Sequence, residues 1–150
     1  MEEMDRMSTF KHMPSKPDIT FYEIDWHIVK NELTTLNISV PLGLFDAYSP
    51  YFYTTLWGIQ EAVKYARKVY PFPKFKEPIM DCDDFAVLMK GLISAEFGIN
   101  TFGVALGNTP FGYHAYNLTR VEDKWINVEP QSGNVFEIGE RGYICDRIII

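Results

Sequence analysis

The sequence predicts an α+β domain, in which helices come first and a run of antiparallel strands follows. Apolar residues recur at helical spacing between residues 50 and 97, and short segments with strand-like patterns follow from residue 101. Glycines and charged turns separate those segments. Because helices and strands are grouped along the chain rather than alternating, the pattern favours α+β over a parallel α/β fold.

Length and composition narrow the classes of protein further. The chain has 150 residues, of which 47% are hydrophobic, and a formal net charge of −6. We therefore expect one folded domain over residues 19–150, preceded by a flexible N-terminal arm over residues 1–18. The acidic balance argues against a nucleic-acid partner, and the lack of a long apolar stretch argues against a membrane partner. With two cysteines and no secretory pattern, a cytoplasmic location is expected.

The first half of the chain contains three predicted elements before residue 71. Residues 19–22 are typical of a strand, and residues 26–36 have the spacing of a helix. Residues 41–48 form a predicted loop. Ser49-Pro50 predicts the start of a helix that runs to Tyr70, because a hydroxyl cap precedes a proline at the first helical position. Three prolines between residues 71 and 78 prevent its continuation.

A second helix is predicted from Asp81 to Phe97. Its helical positions are nearly all apolar, so we expect it to be central and buried, and Gly98 is a natural end. Strands are then predicted at residues 101–107, 112–121, 125–128, 134–138 and 143–150. Residues 122–124 form a hairpin turn between the second and third of these strands.

Three residues in this part of the chain could together activate a thiol. Cys82 opens the second helix, His114 lies on a strand, and Glu129 ends the next strand. They correspond to a nucleophile, a base and an orienting carboxylate. A helix N-terminus and a nearby imidazolium both favour the thiolate. The hairpin brings the level of His114 close to that of Glu129, and Asn127, on the same face, stays open as an alternative orienting residue.

Three segments resemble motifs of one protein family. Residues 81–88 resemble the nucleophile motif of the transglutaminase-like superfamily, relatives of the papain-like cysteine proteases. Residues 114–117 are similar to its histidine strand and residues 124–130 to its third segment. The resemblance covers about Pro78 to Gln131. Glu129 stands where the family usually has aspartate, and Tyr116 stands where it usually has tryptophan.

The resemblance implies a fold and an activity. The fold would be a papain-like or transglutaminase-like core, with a central helix that carries the nucleophile and packs on an antiparallel sheet. The activity would be that of a cysteine hydrolase or acyltransferase, an enzyme acting on an amide or peptide bond through a thioester. Cys82 would be the nucleophile, His114 the base and acid, and Glu129 the orienting residue. The partner would be a peptide or protein amide substrate, with no cofactor and no metal; the resemblance implies no oligomeric state.

Two other functions remain open at this point. One is a catalytically inactive domain of the same superfamily, retained for binding or assembly, since a fold does not guarantee activity. The other is a metal-binding domain that uses the carboxylates of Asp81, Asp83 and Asp84, with His114 as a further ligand.

Overall fold

A computed structural model of the chain describes residues 14–41 and 50–150. Most of the predicted N-terminal arm (residues 1–13) and of the predicted loop (residues 42–48) lies outside these ranges, as does Ser49, the predicted helix cap. The described helices are α1 (Trp26–Thr35), α2 (Leu56–Val69) and α3 (Cys82–Phe97). The described strands are β1 (Phe21–Ile24), β2 (Tyr51–Thr54), β3 (Gly103–Thr109), β4 (Gly112–Val121), β5 (Lys124–Glu129), β6 (Asn134–Glu137) and β7 (Ile144–Ile149).

The seven strands form one mixed sheet rather than the antiparallel sheet that was predicted. Strands β7, β3, β4, β5 and β6 are antiparallel neighbours in that order, and β1 pairs antiparallel with β2. Strand β2 joins β4 in parallel, where Thr54 is the partner of Val121. Parallel pairing needs a crossover, and here the chain between β2 and β4 supplies it with α2, α3 and β3. The predicted antiparallel sheet is therefore wrong.

The parallel pair arises where the sequence predicted the start of a helix. Residues 51–54 form β2 instead, since three aromatic residues and a threonine suit a strand that pairs with β1. Helix α2 begins at Leu56, after Thr55, whose side-chain oxygen accepts a 3.0 Å hydrogen bond from the Gly58 N–H. The capping chemistry expected at Ser49 thus operates six residues later.

Helix α3 is the element that brings Cys82 to the sheet. It begins and ends within one residue of the predicted bounds, and Gly98 follows it in the left-handed conformation at φ 69°. Three of its five buried residues join apolar residues of α2 and of one sheet face in a common core: Met89, Ile93 and Phe97. Helix α1 covers the opposite face, where Val29 and Leu33 pack near Tyr116.

Strand β4 lies between these two cores, and its successive side chains face opposite sides. Ala115 packs with Ala86 of α3, whereas Tyr116 belongs to the core under α1. Asn117, fully buried, faces α3 and donates hydrogen bonds to the Ala86 carbonyl at 2.9 Å and the Gly103 carbonyl at 3.0 Å. This side chain links the first turns of α3 to the sheet. Among the described residues, none of the helices is both long and apolar enough to cross a membrane.

Candidate functional site

His114 and Glu129 meet at the end of the β4–β5 hairpin. His114 Nε2 lies 2.8 Å from Glu129 Oε2, and the two side chains are only 20% and 13% exposed. Two further groups donate to the same carboxylate: the Tyr143 hydroxyl, 3.0 Å from Oε2, and the Gln131 N–H, 3.2 Å from Oε1. Three donors thus hold the carboxylate in one orientation, so it can fix the plane of the imidazole.

The sheet register explains how these two side chains meet. The β4–β5 ladder pairs Asn117 with Val128, so continuing the register places Glu129 opposite Tyr116. Glu129 therefore reaches His114 diagonally, a distance that a long side chain can span. Asn127, the alternative orienting residue, is the partner of Leu118, and its amide donates to the Glu137 carbonyl at 3.3 Å. The structure thus pairs His114 with Glu129 and not with Asn127.

The sequence did not predict that the Tyr143 hydroxyl and the backbone N–H of Gln131 donate to Glu129. Tyr143 follows a short 3₁₀ turn and lies edge-on to the His114 ring, with ring centroids 6.0 Å apart. Burial, followed by the negative charge of Glu129, raises the pKa of Tyr143 to about 12, so its hydroxyl remains a donor at neutral pH. No local sequence signal marks either group, because both reach the carboxylate through the fold.

Cys82 is the first residue of α3 and is half-buried. It packs beside Ala86, Val104 and Ala115, on the face of β4 that α3 covers. His114 lies on the opposite face, stacked at 6.1 Å on the Tyr116 ring. Within the described residues, no hydrogen bond joins the Cys82 sulfur to His114. The structure therefore brings His114 and Glu129 together and places Cys82 beside the residue that follows His114.

The acidic residues around Cys82 form an exposed cluster. The carboxylates of Asp81, Asp83 and Asp84 have oxygens within 4.8 Å of one another, and Asp83 and Asp84 are exposed. A hydrogen bond that protonated Asp81 donates to the Asp83 carboxylate is the main cause that raises the pKa of Asp81 to about 6. His114, expected as a further metal ligand, is not part of this cluster, and its Nε2 is bonded to Glu129. An exposed acidic turn on its own does not support the metal-binding alternative.

The second cysteine is a contrasting thiol. Cys145 lies in β7 on the α1 side of the sheet, and burial is the main cause that raises its pKa to about 11. Its Sγ donates to the Arg147 carbonyl at 3.2 Å. A thiol with this pKa is almost entirely protonated at neutral pH, and Cys145 is thus a weak nucleophile.

Two solved structures are similar to this chain over most of its length. One, described as a complex of PSL1a with E64, is 22% identical with a TM-score of 0.62; the match covers 85% of this chain and 51% of that one. The other is Polyporus squamosus lectin bound to the human-type influenza-binding epitope Neu5Aca2-6Galb1-4GlcNAc. It is 19% identical with a TM-score of 0.58, and the match covers 87% of this chain and 49% of that one.

The chain thus spans about half the length of each of these structures, and the likeness shows the fold of that part alone. No family model and no curated protein matches the sequence.

These findings correct the family assignment made from the sequence motifs. Neither of these two structures is described as transglutaminase-like, and the second is that of a lectin. The expected papain-like or transglutaminase-like core is therefore wrong. So are the cysteine hydrolase or acyltransferase activity, the inactive domain of that superfamily, and the peptide or protein amide as partner. Short motifs misled because helix starts and hairpins of this composition are not specific to one family.

Proposed function

We propose that the chain is a ligand-binding domain whose site is formed by Cys82, His114 and Glu129. Cys82 acts as the nucleophile that attacks the ligand, His114 accepts the proton of the Cys82 thiol, and Glu129 orients the imidazole. The observation that carries the proposal is the 2.8 Å contact between His114 Nε2 and Glu129 Oε2. The proposal concerns capture of an electrophilic ligand by the thiol and not the turnover of an amide.

The contact leaves the second ring nitrogen of His114 available. Within the described residues, His114 Nδ1 makes no hydrogen bond, so it can exchange a proton with a neighbouring group. Glu129, bonded to Nε2, holds the ring in an orientation that leaves Nδ1 free for this exchange.

The open edge of β4 offers the thiol a path to the ring. Pairing between β4 and β5 ends at Asn117 and Val128, so the β5 side of β4 is unpaired at the level of His114. Cys82 packs next to Ala115 on one face of β4, and the ring lies on the other. We propose that the thiol and the ring meet around this edge when a ligand binds, since catalytic contacts are often longer in the unliganded protein.

The test is the rate at which iodoacetamide alkylates Cys82 between pH 5.5 and 9. The thiolate attacks carbon, iodide leaves, and the thiol proton passes to His114 or to solvent. At neutral pH we expect Cys82 to react more than a hundredfold faster than Cys145, because a pKa of about 11 leaves Cys145 with roughly 300-fold less thiolate than an ordinary thiol. His114→Ala should slow Cys82 at least about tenfold below pH 8.

A matched control separates this effect from a general loss of charge. His27→Ala removes an exposed histidine that pairs with Asp25 at 2.8 Å, far along the chain from the site. It should leave the alkylation rate of Cys82 unchanged. Equal rates at Cys82 in the wild type and in His114→Ala would refute the proposed roles. E64, the compound named with PSL1a, is a second probe, whose adduct at Cys82 intact-protein mass spectrometry would detect.

Carbohydrate binding is a second candidate function, favoured by the glycan named with the lectin structure. In this chain a groove of about 640 Å³ lies between α1 and the β5–β6 hairpin, within the size range of small-molecule sites. Apolar and polar side chains line it together, among them Ile28, Asn31, Leu36, Asp123, Trp125 and Ile138.

Ligand-observed NMR with Neu5Aca2-6Galb1-4GlcNAc tests this candidate. We expect saturable binding that Asn31→Ala weakens several-fold through the loss of one polar partner, with Asn134→Ala, an exposed site outside the groove, as the control. No binding at millimolar concentrations of the trisaccharide would exclude it.

A further inference from the structure

We propose that a groove along α2 binds an oxyanion, the phosphate or carboxylate group of a ligand. The groove has a volume of about 530 Å³ and lies between α2 and the turn that joins β5 to β6. The polar residues that line it are Gln60, Glu61, Lys64, Arg67 and Lys68. It does not depend on the function proposed for the thiol site, which it adjoins through Gln131, whose N–H donates to Glu129.

Arg67 is the fixed cation of this groove. Its Nη1 donates to the Ser132 carbonyl at 2.6 Å, and its Nη2 donates to the Gln131 carbonyl at 2.9 Å. These bonds use two of the five N–H groups of the guanidinium and leave the others for a ligand. Within the described residues Arg67 forms no ion pair, so the carbonyls hold the group in place without neutralising its charge. A preorganised guanidinium is well suited to a planar or tetrahedral oxyanion.

The turn is shaped to accept the guanidinium. A Cβ on Gly133 would lie 2.8 Å from Arg67 Nη1 and 2.9 Å from Arg67 Cδ, closer than real Cβ atoms come to such neighbours. Gly133 also has φ +77°, a conformation in which glycine is favoured. Glycine therefore lets the arginine lie against the turn at the floor of the groove.

The charge of the groove is opposite to that of the whole chain. Lys64, Arg67 and Lys68 are exposed there, and Glu61 is the acidic residue among them, 3.7 Å from Lys64. Three cations and one anion give the groove a charge of about +2 by side-chain ionisation at neutral pH, whereas the chain carries −6. A local positive potential on an acidic protein attracts and orients small anions.

The test is an NMR titration of the ¹⁵N-labelled chain with inorganic phosphate and, separately, with citrate. We expect saturable shifts of the amide signals of residues 131–133, because the carbonyls of Gln131 and Ser132 accept hydrogen bonds from Arg67. Lys68→Gln and Arg67→Gln should each weaken binding at least about fivefold, the size expected for the loss of one charge-assisted contact. Lys74→Gln removes the same charge at an exposed site outside the groove and should change the affinity less than twofold.

Each outcome of the titration either supports or overturns the proposal that the groove binds an oxyanion. Binding of phosphate alone identifies a phosphorylated ligand, and binding of citrate alone identifies a carboxylate; both support the groove as an oxyanion site. If Arg67→Gln disturbs the β5–β6 turn, the Lys68→Gln result decides. The proposal is overturned if neither anion gives saturable shifts up to tens of millimolar, or if Lys74→Gln weakens binding as much as Lys68→Gln does.

Discussion

Replacement of Asn117 by alanine tests how α3, and with it Cys82, is held on the sheet. The Asn117 side chain is fully buried and donates to the carbonyls of Ala86 at 2.9 Å and Gly103 at 3.0 Å. Each of two net hydrogen bonds contributes about 1 kcal/mol, and the space left by the amide adds about 1 kcal/mol or more. We therefore expect Asn117→Ala to lower the free energy of unfolding by about 2–4 kcal/mol.

Urea denaturation followed by circular dichroism measures this loss directly. In a chain of this length it corresponds to a fall in Tm of roughly 5–15 °C. Asn117→Asp keeps the shape but removes the two N–H donors and buries a charge, so it should cost at least as much as alanine at neutral pH. Asn134→Ala, at an exposed position, should change the unfolding free energy by less than about 0.5 kcal/mol. A loss below about 0.5 kcal/mol for Asn117→Ala would refute this account of how α3 is held.

Local signals in the sequence were sufficient to predict the elements in which the apolar spacing agrees with the residues that begin and end the element. Helix α3 was predicted within one residue because its apolar spacing is continuous and Gly98 ends it in the left-handed conformation. The β4–β5 hairpin was found because a short charged turn, residues 122–123, separates two strand patterns. The contact between His114 and Glu129 followed from that turn, since a hairpin register depends mainly on its loop.

Long-range contacts could not be predicted in the same way. Strand β2 was mistaken for the start of a helix because Ser49-Pro50 has a capping pattern, and the pairing of β2 with β1 and β4 decides its conformation. The parallel junction of β2 with β4 rests on the pair Thr54 and Val121, which are far apart in the sequence. Tyr143 and the Gln131 amide reach Glu129 through the tertiary fold, and the face on which Cys82 lies depends on how α3 crosses β4.

Two further predictions concern charged residues outside the thiol site. Asp83→Asn removes the negative charge that stabilises protonated Asp81, so it should lower the pKa of Asp81 from about 6 toward its ordinary value of 3.8. Because its pKa is raised in the folded state, the Asp81 carboxyl stabilises the fold below about pH 3.8, and this stabilisation is lost as the pH rises through 6. The variant should therefore lose less of its Tm than the wild type between pH 4 and pH 7. An unchanged dependence of Tm on pH would contradict the coupling between Asp81 and Asp83. Glu32→Gln leaves the guanidinium of Arg120, 8% exposed, without the carboxylate 2.8 Å from its Nε, and should cost about 2 kcal/mol in urea denaturation. Glu23→Gln, at an exposed position, is the control, and equal stability of the two variants would count against the importance of this pair.

The interdependence of Cys82, His114 and Glu129 is tested most directly by a double-mutant cycle on the alkylation rate of Cys82 at pH 7. We expect His114→Ala to slow the reaction at least about tenfold, and Glu129→Gln to slow it by a smaller factor, because the carboxylate acts through the imidazole. The double variant should then react no more slowly than His114→Ala alone. Independent, multiplicative effects, or a rate at Cys82 that neither substitution changes, would contradict the proposal that the three residues act as one site.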